Sequence, residues 1–535
     1  MPPKLGKSFN QETRIKFKYY NRFETPMKSF FAFLPYVLWE KITYESNSYA
    51  KKKMKDGKIS GKPWRKDITV MEMLQFHGLL IKMVLQPVPG RRFTYYWANE
   101  STYPWTSTMS LTRFYQIRSV LHFNNDEEEQ LKRDPLHKVR PVYASVQKII
   151  GHYVELGSEW SLDEASAACR SSFGRHLIVY NPTKNCGKFH FRFYLLCCAD
   201  TYSCIKLRIH VKTDDMVEAD AFSSGLPPAE NSNEDDLGQS TSVLNQLIID
   251  MTSPLHGTGH TVNFNNYYAS PSAAIELLKR KVYCRGTLRL NRKLLPKYVQ
   301  FTKADARQPN ARGSSKVAVN RKYGLVAAGW LDGNPVHVIS SADTEGISTV
   351  QRQVGGKKVT VTAPEVIQYY NAGMDGVDRH DQYRSLLSLC SRHKFKKYSV
   401  KLYLALLDLS LTNALLHYKL RWKCSDVNVR GADFMEYIAQ LLLSEQAEWN
   451  DHIVVSDDED ESVDSSFSLD TQDEVRQLFS SKAIPSTSQS NVTSNCSFDV
   501  IANMDLNKRS LKCQICEYGK IPYIVPPREI VPPRE

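Results

Sequence analysis

The sequence predicts an α/β protein in which a sheet-forming core is interrupted by a β-rich insertion and flanked on both sides by helices. Three observations predict it. Residues 158 to 283 alternate strand and helix signals, residues 284 to 360 are basic, Gly-containing and strand-rich, and the stretches on either side carry apolar residues at helical spacing. The 535 residues divide on this reading into a basic, poorly ordered N-terminus (1–25), a first helical part (26–157), the first part of the core (158–283), the insertion (284–360), the last part of the core (361–386), a second helical part (387–443), an acidic tail (444–504) and a cysteine-bearing end (505–535).

In the first helical part, VMEMLQFHGLLIKMV (Val70 to Val84) has the spacing of an amphipathic helix, and SLTRFYQIRSVLHF (Ser110 to Phe123) follows a Ser/Thr start. A Pro/Gly/aromatic connector separates them. In the core, Trp160 to Asp163 reads as a short strand closed by an acid. Lys188 to Ala199 and Cys204 to Val211 are strand-like, Ser242 to Met251 is an amphipathic helix, and His260 to Asn265 is another short strand. Ser270-Pro271 supplies an N-cap and first-turn proline for the next helix. Consecutive strands followed by helix, strand and helix make an α/β core. Within the insertion, strand signals run from Lys322 to Ile339, and Asp332-Gly333 between two apolar runs marks a hairpin. Helix returns over 364 to 388, then over Ser399 to Trp422 and Gly431 to Leu443. The run SDDEDESVDSS has a composition that resists packing, and the chain ends in the repeated IVPPREIVPPRE.

Composition narrows the partner. The chain is 42% hydrophobic and carries a formal +13. Residues 445 to 474 hold twelve Asp/Glu and no Lys or Arg, so the remainder carries about +25, a surplus that favours a polyanion, with nucleic acid ahead of a membrane surface. No apolar run approaches the ~20 residues needed to span a bilayer, and the first residues lack the apolar segment of a secretory signal. Eleven scattered cysteines without framework spacing fit a reducing compartment.

Acids at strand ends in such a core are candidates for two-metal phosphoryl transfer, which needs several carboxylates converging on hard cations such as Mg²⁺. Asp163 closes one strand, and Asp378 and Asp381 stand three apart in GVDRHDQ, on one face of a helix. Each has an ordinary use as well, as a turn residue or a solvated helix face. The basic groups Lys51 to Lys53, Lys62/Arg65/Lys66, Lys184/Lys188, Lys279 to Lys281, Arg289/Arg292/Lys293 and Lys394/Lys396/Lys397 are candidate phosphate contacts.

Several segments, in order, resemble the piggyBac transposases and the host proteins derived from them. They are MSLTRFYQIRSVLHFNND, SLDEASAACRSSFGRHLIVYNPTKNCGKFHFRFYLLCCAD, HTVNFNNYYASPSAAIELLKRKVYCRGTLRLNRKLLP, GWLDGNPVHVISS and APEVIQYYNAGMDGVDRHDQ, together covering roughly residues 30 to 445. The resemblance implies an RNase H-like catalytic core with a β-rich insertion, flanked by a split helical dimerisation and DNA-binding domain. It implies double-stranded DNA as partner, a homodimer, a nuclear location and no membrane. It also implies Mg²⁺ held by Asp163, by the residue at the second aspartate position, and by Asp378 and Asp381. That second position is Asn265, which carries no charge; an amide oxygen there still reaches a metal, but the set is one carboxylate short and metal binding is weakened. Asp200, Asp250 and Glu164 do not align as substitutes. Asp375 replaces a glycine of the family motif and is expected to face water. The cysteine-rich zinc module of active members is reduced to Cys513 and Cys516, two of the four ligands structural zinc takes, so Zn²⁺ is not expected. The expectation is a transposase-derived DNA-binding protein with catalysis lost or impaired. The alternatives are an active transposase that tolerates Asn265 and a protein-interaction factor that uses the acidic tail.

Overall fold

The computed structural model describes residues 11–57, 64, 66–126, 133–184, 187–211, 243–423 and 429–444. Lys62, Arg65, the acidic run, Cys513/Cys516 and the repeated C-terminal unit lie outside these residues.

Residues 11–25 are not a loose leader. β1 (Arg14–Ile15) pairs antiparallel with β2 (Val154–Glu155), and Ile15, Tyr19 and Phe23 are buried. Ile15 on the strand and Tyr19 and Phe23 on the short 3-10 helix Phe17–Phe23 supply the apolar contacts that let a stretch rich in Lys and Arg pack.

The helices from the two ends of the chain pack on one another. Pro26–Phe33 is capped by Thr25, whose hydroxyl accepts from the Lys28 N–H. Val70–Leu85 opens with a capping box between Thr69 and Glu72, and Leu111–Val120 is capped by Ser110. The 24-residue helix Tyr398–Arg421 runs through their midst, buried on almost every side. It is long and apolar enough to cross a membrane by length and composition, where the sequence reading saw no apolar run approaching a span, but it is wrapped by the rest of the protein. Its Tyr403 hydroxyl bonds the His77 ring at 2.8 Å, tying it to Val70–Leu85. Gly431–Leu443 lies against that same helix: a Cβ at Gly78 would come within 3.0 Å of Leu443.

Among the described residues the central sheet holds nine strands. β3 (Glu159–Ala168), β4 (Ile178–Tyr180), β5 (Phe189–Cys198) and β6 (Cys204–Ile209) are antiparallel neighbours, and β7 (Thr261–Phe264) and β8 (Tyr283–Thr287) run parallel to β3. The order β6-β5-β3-β7-β8 is the RNase H-like arrangement. The β-rich 284–360 segment joins the sheet of the core. Its β9 (Ser315–Asn320), β10 (Leu325–Leu331) and β11 (Pro335–Ser340) continue the sheet, because β11 pairs with β8. Only β12 (Ile347–Val354) and β13 (Lys357–Pro364) form a separate two-stranded ribbon.

Alternation divides the sheet into two faces. Trp160, Leu162, Val262, Phe264 and Cys284 are buried with Leu247, Met251, Ala274 and Leu277 of the helices Val243–Met251 and Pro271–Lys279. Glu159, Ser161 and Asp163 alternate with the apolar residues of β3, so they face the other way. The register aligns Ser161, Asn263 and Arg285 across β3, β7 and β8 on that second face. The helices Glu365–Gly373 and Gly376–Leu386 pack against it. Two glycines permit the approach: a Cβ at Gly373 would run into the Asn263 amide, and one at Gly376 would meet the Cys198 carbonyl at 2.8 Å. The Ser161 hydroxyl donates to the Met374 carbonyl at 2.8 Å, between the two helices.

Candidate functional site

Asp163 does not close its strand. β3 continues to Ala168 because β5 pairs with it as far as Ala168↔His190. Asp163 stands instead where the parallel partner stops: Leu162 pairs with Phe264, the last residue of β7, so the next residue, Asn265, arrives beside Asp163. The Asn265 Nδ2 donates to Asp163 Oδ1 at 2.8 Å. The amide's orientation is set by its other partner. Asn265 Oδ1 accepts the Tyr267 backbone N–H at 2.8 Å, and a backbone N–H only donates, so the amide oxygen turns to Tyr267 and the NH₂ turns to Asp163. The sequence reading kept the amide oxygen available to a metal; this loop commits it to the backbone.

Asp378 lies in the first turn of Gly376–Leu386. Its carboxyl is raised above the usual range by burial, then by the negative charges of Asp163, Asp375 and Asp381. Asp163 is pushed up to about 7, first by burial and next by the Glu164 carboxyl at its side. Among the described residues neither Asp163 nor Asp378 forms an ion pair with a basic side chain. The Tyr268 hydroxyl is buried beside Glu164 and Asp163, and their charges drive its pKa up further than burial alone. Asp381 is differently placed. Arg384, one turn further along the same helix, bonds its Oδ1 through Nε at 2.8 Å and also through Nη2, which in turn reaches the Ser166 carbonyl at 2.6 Å. Asp375 is half exposed and 3.6 Å from Arg379, on the water side.

Asp163, Asn265 and Asp378 therefore come together, and Asp381 faces a buried guanidinium. Among the described residues no group of three or more His, Cys, Asp or Glu side chains converges as a metal cluster. A two-cation centre needs negative oxygen ligands on both ions. Two free carboxylates, one arginine-paired carboxylate and an amide that presents N–H do not fit it.

A buried ion network lies at the other end of the polar face. Arg285 bonds Glu159 at 2.7 Å and Asp343 at 2.6 Å, and the Asn263 amide adds 2.9 Å to Glu159. Neither this network nor Arg384 was expected. Arg384 was readable, because 378, 381 and 384 share one helix face; Asp343 carries no local signal, since only the sheet register brings it to Arg285.

The basic candidates separate in the same way. Lys188, Lys293, Lys394 and Lys396 are exposed. Lys184 donates to the Ser166 hydroxyl at 2.7 Å. Arg289 reaches the Asn266 side chain at 3.3 Å and Arg292 the Tyr267 carbonyl at 2.9 Å, so both brace the loop that holds Asn265. Lys397 lies over the Tyr49 ring, bonds the Ser119 carbonyl at 3.1 Å and is pushed down to about 8 by burial and by Lys53, which gives it a packing role. Lys51 and Lys279 are paired with Asp67 and Glu276. Of the aromatic connector, Tyr96 is in the core while Tyr95 and Trp97 line a shallow depression with Arg91 and Arg92.

Comparison with known proteins places this architecture. The human "PiggyBac transposable element-derived protein 3" is 26% identical over 367 residues, 67% of this chain and 55% of the relative. The human "Chimeric ERCC6-PGBD3 protein" matches at the same identity over 31% of its length. The chain thus spans about half, or less, of the curated relatives it matches. Among solved structures, a piggyBac transposase in a synaptic complex with hairpin DNA superposes with a TM-score of 0.66 at 18% identity, covering 89% of this chain and 90% of the other, a likeness of fold. The family model described as "Transposase IS4" matches residues 25–415. With a family match over most of its length and this fold, the chain belongs to the transposase IS4 family, among its piggyBac-type members.

Proposed function

We propose that this chain is a DNA-binding protein derived from a piggyBac transposase, working in the nucleus, whose Mg²⁺-dependent strand cleavage is lost or impaired. One observation carries the reading: the Asn265 amide is held by Tyr267 so that it gives Asp163 an N–H. An aspartate at 265 would repel Asp163 and be reconciled with it by a cation. Asparagine meets the Asp163 charge with a hydrogen bond instead, and a cation entering there must break that bond and the loop turn behind it. The pairing of Asp381 with Arg384 withdraws a further ligand. Duplex DNA as partner is supported by the excess positive charge and by the exposed Lys188, Lys293, Lys394 and Lys396.

The test is a strand-cleavage and joining assay with Mg²⁺ or Mn²⁺ on four proteins: the wild type, Asp163→Ala, Asn265→Asp and the double variant. The wild type is expected to cleave no faster than Asp163→Ala, and Asn265→Asp is expected to gain cleavage that Asp163→Ala then abolishes. Robust wild-type cleavage that disappears in Asp163→Ala overturns the reading in favour of an active transposase. Binding to duplex DNA is expected to weaken steeply with salt, with a slope of about −0.9 per phosphate neutralised; a flat dependence favours a protein-interaction role.

A further inference from the structure

The β12–β13 ribbon stands outside the main sheet. Its register runs from Ile347↔Pro364 to Val354↔Lys357, and it closes on Gly355-Gly356, both at positive φ (55° and 80°), as a two-residue hairpin turn that follows strand twist requires. The root is fixed. Val350, Val361 and Ala363 pack with Trp330 and Val338, the Trp330 Nε1 donates to the Thr362 carbonyl at 2.8 Å, and Arg352 bonds Asp332 at 2.9 Å over the Trp330 ring. Beyond the Val350–Val361 pair every residue is exposed except the half-buried Arg352. A Cβ on either turn glycine would meet nothing within 4 Å, so the tip projects into open space.

Charge and size identify what such an arm fits. Residues 347–364 contain Arg352, Lys357 and Lys358 and no acid. Among the described residues neither Lys357 nor Lys358 is in an ion pair. Four residue pairs beyond the root, at about 3.4 Å per residue, extend about 13 Å. A major groove is roughly 12 Å wide and 8.5 Å deep and admits a two-stranded ribbon. A second copy of the same ribbon is the other partner that bare strand edges invite, but two such ribbons carry like charge. A polyanion does not have that penalty.

We propose that the β12–β13 ribbon is a DNA arm that enters the major groove, with Lys357 and Lys358, on opposite faces of the ribbon beside its turn, each on backbone phosphates. The proposal rests on the DNA-binding reading above and adds where the duplex is gripped. Because β13 ends at Pro364 and the helix Glu365–Gly373 begins at the next residue, the arm is continuous with the segment that covers the polar face and leads to Asp378.

The test uses the full chain and a short duplex, with binding followed by fluorescence anisotropy across a salt series. Lys357→Gln/Lys358→Gln is expected to weaken binding roughly tenfold and to reduce the magnitude of the salt slope by about 2, one unit for each phosphate left without its lysine. Its thermal midpoint should match the wild type, since both side chains are exposed. Methyl green, which occupies the major groove, should displace the wild type; netropsin, in the minor groove, should not. Wild-type affinity and slope in the double variant overturn the proposal and leave the DNA-binding reading standing. Displacement by netropsin alone overturns the groove assignment. A double variant that keeps its DNA affinity but sediments as a smaller species than the wild type makes the ribbon an interface between copies and also overturns it. If the wild type shows no salt-dependent binding to duplex at all, both readings fall together.

Discussion

On one face of β3, β7 and β8, Trp160, Leu162, Val262, Phe264 and Cys284 are closed off by two amphipathic helices. On the other face of the same strands, Glu159, Ser161, Asp163, Asn263, Asn265 and Arg285 are covered by the helices Glu365–Gly373 and Gly376–Leu386. The apolar face accounts for the sheet's folding by burial alone. The polar face does not, since taking charges out of water costs free energy that only good pairing offsets. The difference within the polar face is the informative one. At the Glu159 end both carboxylates, Glu159 and Asp343, are paired with Arg285. At the Asp163 end the Asp163 carboxylate takes an amide N–H from Asn265 and feels the negative charge of Asp378, and among the described residues neither carboxylate is in an ion pair with a basic side chain. A face finished at one end and unfinished at the other has structural work at the first and kept ligand chemistry at the second.

The largest effects come from breaking each face where it is complete. Arg285→Met leaves the buried Asp343 side chain and the half-buried Glu159 without a countercharge and should cost about 3–5 kcal/mol in denaturant unfolding. Leu162→Ala opens a cavity on the apolar face and should cost about 2–5 kcal/mol. If Arg285→Met costs less than about 1 kcal/mol, the network is not the anchor of the polar face and the contrast between its two ends disappears.

The unfinished end should reveal itself through pH. Asp163 has a carboxyl raised from 3.8 to about 7 in the folded protein. Between those values the folded state holds a proton that the unfolded state has released, so stability falls as pH rises through the window and levels off above about 7. Asp378 is raised as well and contributes in the same direction. Asp163→Asn removes the larger share of the slope. Urea midpoints at pH 5 and pH 7.5 should move apart in the wild type and close up in the variant, with a stability gain at the higher pH on the order of 1–3 kcal/mol. A variant with the wild-type slope would place the titrating charge elsewhere and remove the argument that this end lacks a cation.

Much of this was legible in residue patterns. Helical periodicity marked Val70–Leu85 and Gly431–Leu443, the Ser270-Pro271 pair marked the start of its helix, and the Asp332-Gly333 turn marked the β10–β11 hairpin. Asn265 stood out as an uncharged residue among acids. What escaped was what pairing decides. Asp163 looked like the end of a strand because WSLD is followed by small polar residues, whereas its antiparallel partner β5 carries β3 five residues further. The insertion read as a β-rich module within the core, but nothing in its composition says that β11 will pair with β8. Residues 11–25 looked loose because net charge hid Ile15, Tyr19 and Phe23 at a spacing of four.

The smallest effect tests how far the two faces depend on each other. Ser161 and Leu162 are neighbours on β3, one on each face. The Ser161 hydroxyl gives its hydrogen to the Met374 carbonyl, at the break between the two covering helices. Ser161→Ala keeps the Cβ, which a Cβ at Gly376 would approach to 3.0 Å, and so leaves the helix seated while deleting one hydrogen bond. The expected cost is about 1 kcal/mol, well below that of Leu162→Ala beside it. Since the substitution touches neither Asp163 nor the ribbon, duplex affinity should be unchanged. A loss of several kcal/mol would mean that the Met374 carbonyl has no other partner when the hydroxyl goes. The junction would then be what holds Asp378 beside Asp163, and the unfinished end of the polar face would be maintained by the finished strand beneath it.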